Sequence, residues 1–314
     1  MKVGRSNSAR GMAGAALISA VAFVLLVQYA PDSVAFSPNN YGWNGLQGVA
    51  STYGVNFTTS LSGLPERSVL AILQPSVNYS ASDSLAVRDF LLAGGTVLVA
   101  DKSGVANSLL RGIGSVISIE SQFSISDPVY NWKAKSVPTA LVMEGSVSCA
   151  PCFANVSGLA LDAPSPLVLG GTGAAVVAVT SQFSQTQAGT RGPFPVVASE
   201  KIGPGNLVVI GDSQFLLNSE WTIANNKVLI RNLFANRNVF IDASHWTSNP
   251  MTSSTAQVKA ELRQAFDVIA AIPTRYVFVF GLVLVALVLV PSREGDGPEP
   301  GGNPMHFNDE REGS

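Results

Sequence analysis

The chain has 314 residues, a formal net charge of −2 and only 13% charged residues. A balance so close to neutral does not support nucleic-acid binding, which needs a basic face. The length allows one substantial hydrophobic core, and an apolar run near each end raises the hydrophobic content to 46%.

Two uncharged apolar runs bracket the chain. The first covers residues 11–30, and the second covers residues 276–291, which residues 270–273 can extend. At about 1.5 Å per helical residue, runs of this length match a hydrocarbon core of roughly 30 Å. We therefore expect transmembrane helices at 11–30 and 273–291, and a membrane protein or envelope protein as partner. The alternatives are a cleaved signal peptide at the first run, or a buried core helix at each end.

Charges around the first run predict the orientation of the chain. Lys2, Arg5 and Arg10 precede the run, and the segment 31–40 after it carries no lysine or arginine. Because positive charge stays on the cytoplasmic side, residues 1–10 are expected inside and the central domain outside. The predicted localisation is a cell membrane that the chain crosses twice, with both termini cytoplasmic.

Three Asn-x-Ser/Thr sequons agree with an exterior location for the central domain. They begin at Asn56, Asn78 and Asn155, which are the predicted glycosylation sites.

The two cysteines, Cys149 and Cys152, have Cys-x-x-Cys spacing. In an oxidising compartment this spacing predicts a short-loop disulfide. A redox-active dithiol and a zinc site are the alternatives. Zinc would need two further ligands, and the histidines His245 and His306 are remote in sequence, so we expect neither a metal nor a cofactor.

Segments typical of strands and helices alternate along the first part of the central region. In chain order they are strands at 34–36, 55–58, 68–74 and 96–100, and helices at 43–53 and from Ser80 or Ser82 to Gly94. A second regular part follows a proline-rich interruption at about 121–171. It comprises strands at 174–180, 194–199, 207–211 and 238–242, a tight turn at 203–206 and a helix at 223–236.

Unbroken apolar strands that alternate with helices indicate a parallel sheet covered on both faces. The predicted fold class is α/β, with a mostly parallel sheet, helices on both faces, a β-rich insertion at about 121–171 and a transmembrane helix on each side. The α/β domain is expected at 31–256. An amphipathic juxtamembrane helix at 257–272 and a disordered acidic cytoplasmic tail at 292–314 complete the predicted organisation.

Three stretches together carry a family resemblance. They are residues 68–101, residues 203–234, where a strand ends in Gly-Asp-Ser, and residues 239–246. The pattern resembles an uncharacterised prokaryotic family of membrane proteins, expected to be archaeal, with a class I glutamine amidotransferase-like outer domain. That fold is flavodoxin-like and similar to auxiliary proteins of gliding-motility-type ABC transport systems. Family members often end the last strand in Asp-Glu-x-His, whereas Ala243 replaces the glutamate here.

An amidotransferase needs a cysteine nucleophile on a sharp turn after a strand. The matching turn at residues 100–104 has no cysteine. Ser103 could attack instead, with His245 as base and Asp212 or Asp242 as the group that orients the base. This serine-type hydrolase is the catalytic alternative.

We expect binding rather than catalysis at the carboxyl ends of the strands, where such sheets hold their ligands. The predicted ligand-binding residues are Asp101, Ser103, Asp212, Asn218 and His245. The expected function is that of a membrane-anchored, non-catalytic binding or assembly protein in a transport or envelope complex. A structural envelope protein is the third alternative.

Overall fold

The computed structural model of the chain describes residues 34–143 and 149–247, together with five separate helical positions between residues 14 and 22. The predicted segments at 257–272, 273–291 and 292–314, and most of the run at 11–30, lie outside these residues. The domain boundaries placed there therefore stay predictions.

The described residues form four α-helices and thirteen strands. The helices are α1 (Gln47–Tyr53), α2 (Ala81–Leu92), α3 (Asn107–Gly112) and α4 (Asn226–Phe234). The strands are β1 (Asn56–Thr58), β2 (Val69–Leu73), β3 (Thr96–Ala100), β4 (Ile117–Ile119), β5 (Ile125–Ser126), β6 (Thr139–Val142), β7 (Gly158–Ala160), β8 (Leu167–Leu169), β9 (Ala174–Val179), β10 (Gln185–Thr186), β11 (Pro195–Ile202), β12 (Gly205–Ile210) and β13 (Val239–Asp242).

Nine of these strands form one sheet in the order β1-β13-β2-β3-β12-β11-β9-β6-β7. The five strands from β1 to β12 pair in parallel. The pairings from β12 to β7 are all antiparallel. Two small antiparallel sheets, β5 with β10 and β4 with β8, lie outside this main sheet.

The prediction of a mostly parallel sheet with helices on both faces is wrong, because the sheet is mixed and strands dominate the described residues. The physical reason is the tight turn between β11 and β12, where Ile202 pairs with Gly205. A connection this short joins only antiparallel neighbours, since a parallel neighbour needs a crossover of a dozen or more residues. The proline-rich interruption then extends the antiparallel part through β6 and β7.

The unit from β2 to β3 follows its sequence pattern closely. Ser80 caps α2 in a reciprocal arrangement with Asp83: each side chain accepts the backbone N–H of the other residue. The helix ends before Gly94, whose φ of 89° suits glycine. All five residues of β2 and all five of β3 are buried. The predicted strands and helix of this unit are confirmed.

The core is divided between the two faces of the main sheet, because alternate strand residues point to opposite faces. Ala71 of β2 packs in one cluster with residues such as Phe234 of α4. Ile72 packs in the other cluster with residues such as Phe90 of α2. The main sheet therefore lies between two apolar layers.

No helix among the described residues is both long and apolar enough to cross a membrane. The described residues thus give no support to the predicted two-pass membrane localisation, and the two predicted spans lie almost entirely outside them.

The two cysteines are paired in the structure. Cys149 and Cys152 form a disulfide across a short turn, with their Cα atoms 5.3 Å apart. The three sequon asparagines, Asn56, Asn78 and Asn155, are all exposed. Their glycosylation stays a prediction.

Candidate functional site

The carboxyl ends of the parallel strands meet at one edge of the main sheet, which we call the carboxyl edge. Three aspartates lie there: Asp101 follows β3, Asp212 follows β12 after one glycine, and Asp242 ends β13. None of the three is more than 2% exposed. Because a buried carboxylate needs hydrogen bonds to offset its lost hydration, the partners of these groups define what the edge can do.

Asp101 and Asp242 build the same local turn. Oδ1 of Asp101 accepts hydrogen bonds from the N–H and the hydroxyl of Ser103, at 2.7 and 2.6 Å. Oδ1 of Asp242 accepts the matching pair from Ser244, at 2.9 and 2.6 Å. Turns of this kind close the chain just after a strand. The hydroxyl proton of Ser103 is thus committed to Asp101 and not to His245.

His245 lies between two carboxylates. Its Nδ1 is 2.8 Å from Oδ2 of Asp242, and its Nε2 is 3.5 Å from Oδ2 of Asp83 at the start of α2. The imidazole also stacks on the ring of Tyr79, with the centroids 3.7 Å apart. The phenol of Tyr79 donates to the same Asp242 oxygen at 2.7 Å.

The charges of this cluster favour a protonated imidazole. Burial alone lowers the pKa of His245, but the hydrogen bond and charge of Asp242, together with the charge of Asp83, outweigh burial and raise it above the ordinary value. Burial also works against ionisation of Asp242, yet its hydrogen bonds from His245, Ser244 and Tyr79 lower its pKa. An imidazolium with both N–H groups facing carboxylates has no lone pair with which to take a proton from a nucleophile.

Asp212 organises a second polar group at the same edge. Its two oxygens accept the N–H groups of Asp162 and Gln214, at 3.0 and 2.8 Å. The Nζ atom of Lys102 lies 3.7 Å from the carboxylate of Asp162. Gln214 fits between them in the amide orientation that donates to Asp162 and accepts from Lys102. Burial raises the pKa of Asp212 to about 6, despite these hydrogen bonds.

Glu220 is the residue of this second group whose pKa is raised most. Burial, followed by the charges of Asp212 and Asp162, raises its pKa to about 8. Its Oε2 atom is buried and accepts no hydrogen bond from the described residues. Glu220 therefore carries a proton at neutral pH, which removes most of the cost of placing it near two other carboxylates.

Asn218 has a structural role, because its side chain bonds the backbone of the segment at residues 40–48. Its Nδ2 donates to the carbonyl oxygens of Asn40 and Gly42, at 2.9 and 2.8 Å, and its Oδ1 accepts the N–H of Gly48 at 2.8 Å. These bonds use both N–H donors of the side chain and one lone pair of its oxygen. Of the predicted site residues, the structure brings Asp101, Ser103, Asp212 and His245 to the carboxyl edge and places Asn218 beside it in this structural role.

Sequence reasoning missed Tyr79, Asp83 and Glu220. Tyr79 is the middle residue of a sequon, and Asp83 is the third residue of a capped helix, so each already had a local interpretation. The capping pattern could have placed Asp83 at the site, because a helix that follows β2 begins at the carboxyl edge. Nothing in the sequence distinguishes Glu220 from an ordinary solvated glutamate.

No three His, Cys, Asp or Glu side chains of the described residues are arranged to hold a metal ion. An open groove of about 420 Å³ runs between the segment after β1 and the outer face of α2, and residues such as Leu64, Leu85 and Phe90 line it. No predicted site residue lines this groove.

Three solved structures show distant similarity to this chain. The N-terminal domain of mmIFT52 is 19% identical, with a TM-score of 0.41, and the match covers 52% of this chain and 75% of that domain. A cytoplasmic protein of Salmonella typhimurium LT2 is 8% identical over 60% of this chain and 73% of its own, with a TM-score of 0.33. A β-galactosidase from Bacillus circulans sp. alkalophilus is 16% identical over 48% of this chain and 21% of its own, with a TM-score of 0.31. At TM-scores this low, nothing about function follows from these similarities.

No curated protein matches this sequence. One family model does match, and it covers residues 35–234, which is more than half of the chain. The expected membership of an amidotransferase-like membrane-protein family is therefore wrong, because the matching family is a different one. The chain belongs to the family described as a domain of unknown function, DUF4350.

Proposed function

We propose that this chain is a non-catalytic binding domain that works as an assembly protein for a protein partner. The observation that carries the proposal is the position of His245, whose two ring nitrogens face Asp242 and Asp83 at 2.8 and 3.5 Å. A general base must face the group from which it takes a proton, whereas both ring nitrogens of this imidazole face carboxylates. The hydroxyl of Ser103, committed to Asp101, supports the same conclusion.

The buried aspartates serve such a domain by fixing the loops that a partner would touch. Asp101 and Asp212 are fully buried, so they make no contact with a partner themselves. Between them they hold the segment from Lys102 to Ala106 and the start of the segment at Gln214. Loops with fixed geometry lose little entropy on binding, which favours recognition.

A serine-reactive probe separates this proposal from a hydrolase. The purified chain, and its Ser103→Ala and His245→Gln variants, would be treated with a fluorophosphonate that labels activated serines. We expect no labelling that depends on Ser103. Labelling of Ser103 that disappears in both variants would contradict the proposal, because it requires an activated hydroxyl.

Crosslinking in the host tests the binding half of the proposal. The tagged full chain would be crosslinked in its own cells and purified, and the crosslinked residues would be mapped by mass spectrometry. We expect a stoichiometric protein partner with crosslinks near Lys102, reduced by Lys102→Ala and unaffected by the matched control Lys201→Ala on β11. A chain that is never crosslinked to another protein would contradict assembly.

A further inference from the structure

Four apolar side chains stand out from the surface on two loops of the antiparallel part. We call Val129, Tyr130, Trp132 and Phe183 the aromatic surface. They are exposed by 57, 52, 41 and 46%, respectively. The rings of Tyr130 and Phe183 lie side by side, with centroids 6.0 Å apart and planes 25° from parallel. Exposed apolar patches of this kind mark interaction sites more often than isolated exposed residues do.

A single buried carboxylate fixes the geometry of the aromatic surface. Asp127 is fully buried, and its Oδ1 accepts the N–H groups of Val129 and Tyr130, both at 2.8 Å. Its Oδ2 accepts the hydroxyl of Ser181, whose oxygen in turn accepts the N–H of Phe183 at 3.0 Å. Both loops that carry the exposed rings are therefore hydrogen-bonded to the same buried carboxylate. A carboxylate is costly to bury. Such an arrangement keeps the rings in place before any partner arrives.

The charged side chains exposed on the two segments that carry this surface are positive. Within residues 121–143 and 181–193, the exposed charged side chains are Lys133, Lys135 and Arg191, and the one carboxylate, Asp127, is buried. The N–H of Asp127 donates to the carbonyl of Lys135, while Arg191 bridges to Gln185, which pairs with Ser126. Lys135 and Arg191 thus lie on the two flanks of the β5–β10 pair.

We propose that the aromatic surface binds an acidic polypeptide segment that carries apolar side chains, and this inference rests on the proposed function as a protein-binding domain. The apolar residues fit the rings, and the carboxylates of the segment complement Lys133, Lys135 and Arg191. Three cations on a chain with a net charge of −2 are few for a nucleic acid, whose affinity depends on many phosphate contacts.

Selection from a library of short random peptides tests the chemistry of the occupant. The immobilised full chain would be the target, and the Tyr130→Ala/Phe183→Ala double variant would remove peptides that bind elsewhere. We expect the retained peptides to be enriched in Asp and Glu interleaved with apolar residues. Enrichment of basic or uncharged peptides, or no enrichment at all, would overturn the inference.

The best selected peptide would then be measured by fluorescence polarisation. We expect the double variant to bind at least about tenfold more weakly, as is usual when central aromatic contacts are lost. The matched control is Tyr41→Ala, which removes another exposed tyrosine and should leave the affinity unchanged. Thermal melts would verify that each variant remains folded, and equal affinity of a folded double variant would contradict the site.

Charge reversal tests the cations independently of the rings. Lys133→Glu/Lys135→Glu should weaken the acidic peptide and strengthen a version in which lysine replaces its Asp and Glu, whereas Lys201→Glu should do neither. Binding of wild type should also fall when the salt concentration rises from about 50 to about 300 mM, because exposed charge pairs are screened. The affinity of a fluorescent single-stranded oligonucleotide would be measured in the same way. If it binds more tightly than any selected peptide, the occupant is a nucleic acid and the inference is overturned.

The failures of the two proposals differ. Ser103-dependent labelling by the fluorophosphonate would refute the non-catalytic function whatever the peptides do. Absent peptide binding, with the crosslinked partner still present at Lys102, would refute only the aromatic surface as the contact.

Discussion

The imidazole of His245 and the phenol ring of Tyr79 lie face to face, 3.7 Å between centroids, and both bind the same oxygen of Asp242. This stack joins the end of the last strand, β13, to the segment that leads into α2. The Asp242 carboxylate is the shared acceptor, and it is only 2% exposed. The cluster is therefore a tertiary connection between the end of β13 and the start of α2.

Replacing Asp242 by asparagine should destabilise the protein by about 3 kcal/mol, because it breaks a buried charge pair and leaves His245 with only Asp83. Urea unfolding of the two proteins measures the difference. Asp89→Asn, on the exposed side of α2, is the control and should change the free energy of unfolding by less than about 0.5 kcal/mol. A similarly small effect of Asp242→Asn would mean that the cluster adds nothing to stability.

The ion pairs of His245 should make stability depend on pH in a defined direction. Its pKa is raised in the folded state, so its contribution is fully present below the unfolded value and is lost as pH rises through the folded value. The pKa values of Asp83 and Asp242 are lowered, so their contribution is lost as pH falls through their folded values. We expect the cluster to stabilise most in mildly acidic solution, between these limits.

An NMR titration of the imidazole checks this directly. The resonances that disappear in His245→Gln belong to His245, and they should titrate above the ordinary pKa of 6.5. His306→Gln is the control and should leave that curve unchanged. A pKa at or below 6.5 would show that burial outweighs the two carboxylates.

Glu220→Gln should stabilise the protein in alkaline solution and change little in acidic solution. The folded pKa of Glu220 is raised to about 8 from 4.5, so the folded protein holds a proton that the unfolded chain releases. Stability is therefore lost as pH rises through about 8, and glutamine, which cannot ionise, removes that loss. Melting temperatures at about pH 5 and about pH 9 measure it, with exposed Glu120→Gln as control. Equal melting curves for wild type and Glu220→Gln at the higher pH would show that Glu220 ionises freely.

Asn226→Ala should cost about 2–4 kcal/mol, because it leaves several buried groups without partners. The side chain is fully buried, accepts the N–H of Ala160 at 3.1 Å, and donates to the carbonyl oxygens of Ala160 and Glu220. It is one of two neighbouring asparagines that link the start of α4 to β7. Denaturant unfolding should separate it from Asn78→Ala, an exposed asparagine whose loss should cost little. If the two variants unfold alike, water replaces the missing amide.

Much of the parallel part of the fold could be predicted from the sequence. The runs at β2, β3, β12 and β13 are short, apolar and bounded by turn residues, and the aspartates that follow them fall at the predicted edge. The antiparallel part could not be predicted in the same way, because an apolar run such as Ala174–Val179 is compatible with either direction of pairing. Only the tight turn after Ile202 carried information about direction.

The roles of the polar residues were harder to predict than their positions. His245 contacts Tyr79 and Asp83, which are more than 160 residues earlier in the chain. Residue spacing in the sequence does not reveal such contacts. The same holds for Asp127, whose hydrogen bond to Ser181 spans 54 residues. Membrane-spanning organisation was inferred from apolar runs alone, and no helix among the described residues supports it.

The position of β13 also governs the order in which the protein can be assembled during synthesis. This last strand lies between β1 and β2, the first two strands of the sheet, so β1 has no partner until residue 239 has left the ribosome. The nascent chain must keep its earliest strand unpaired while nearly two hundred residues are added. A stop before β13 would therefore release a chain in which β1 lacks the strand that it pairs with among the described residues.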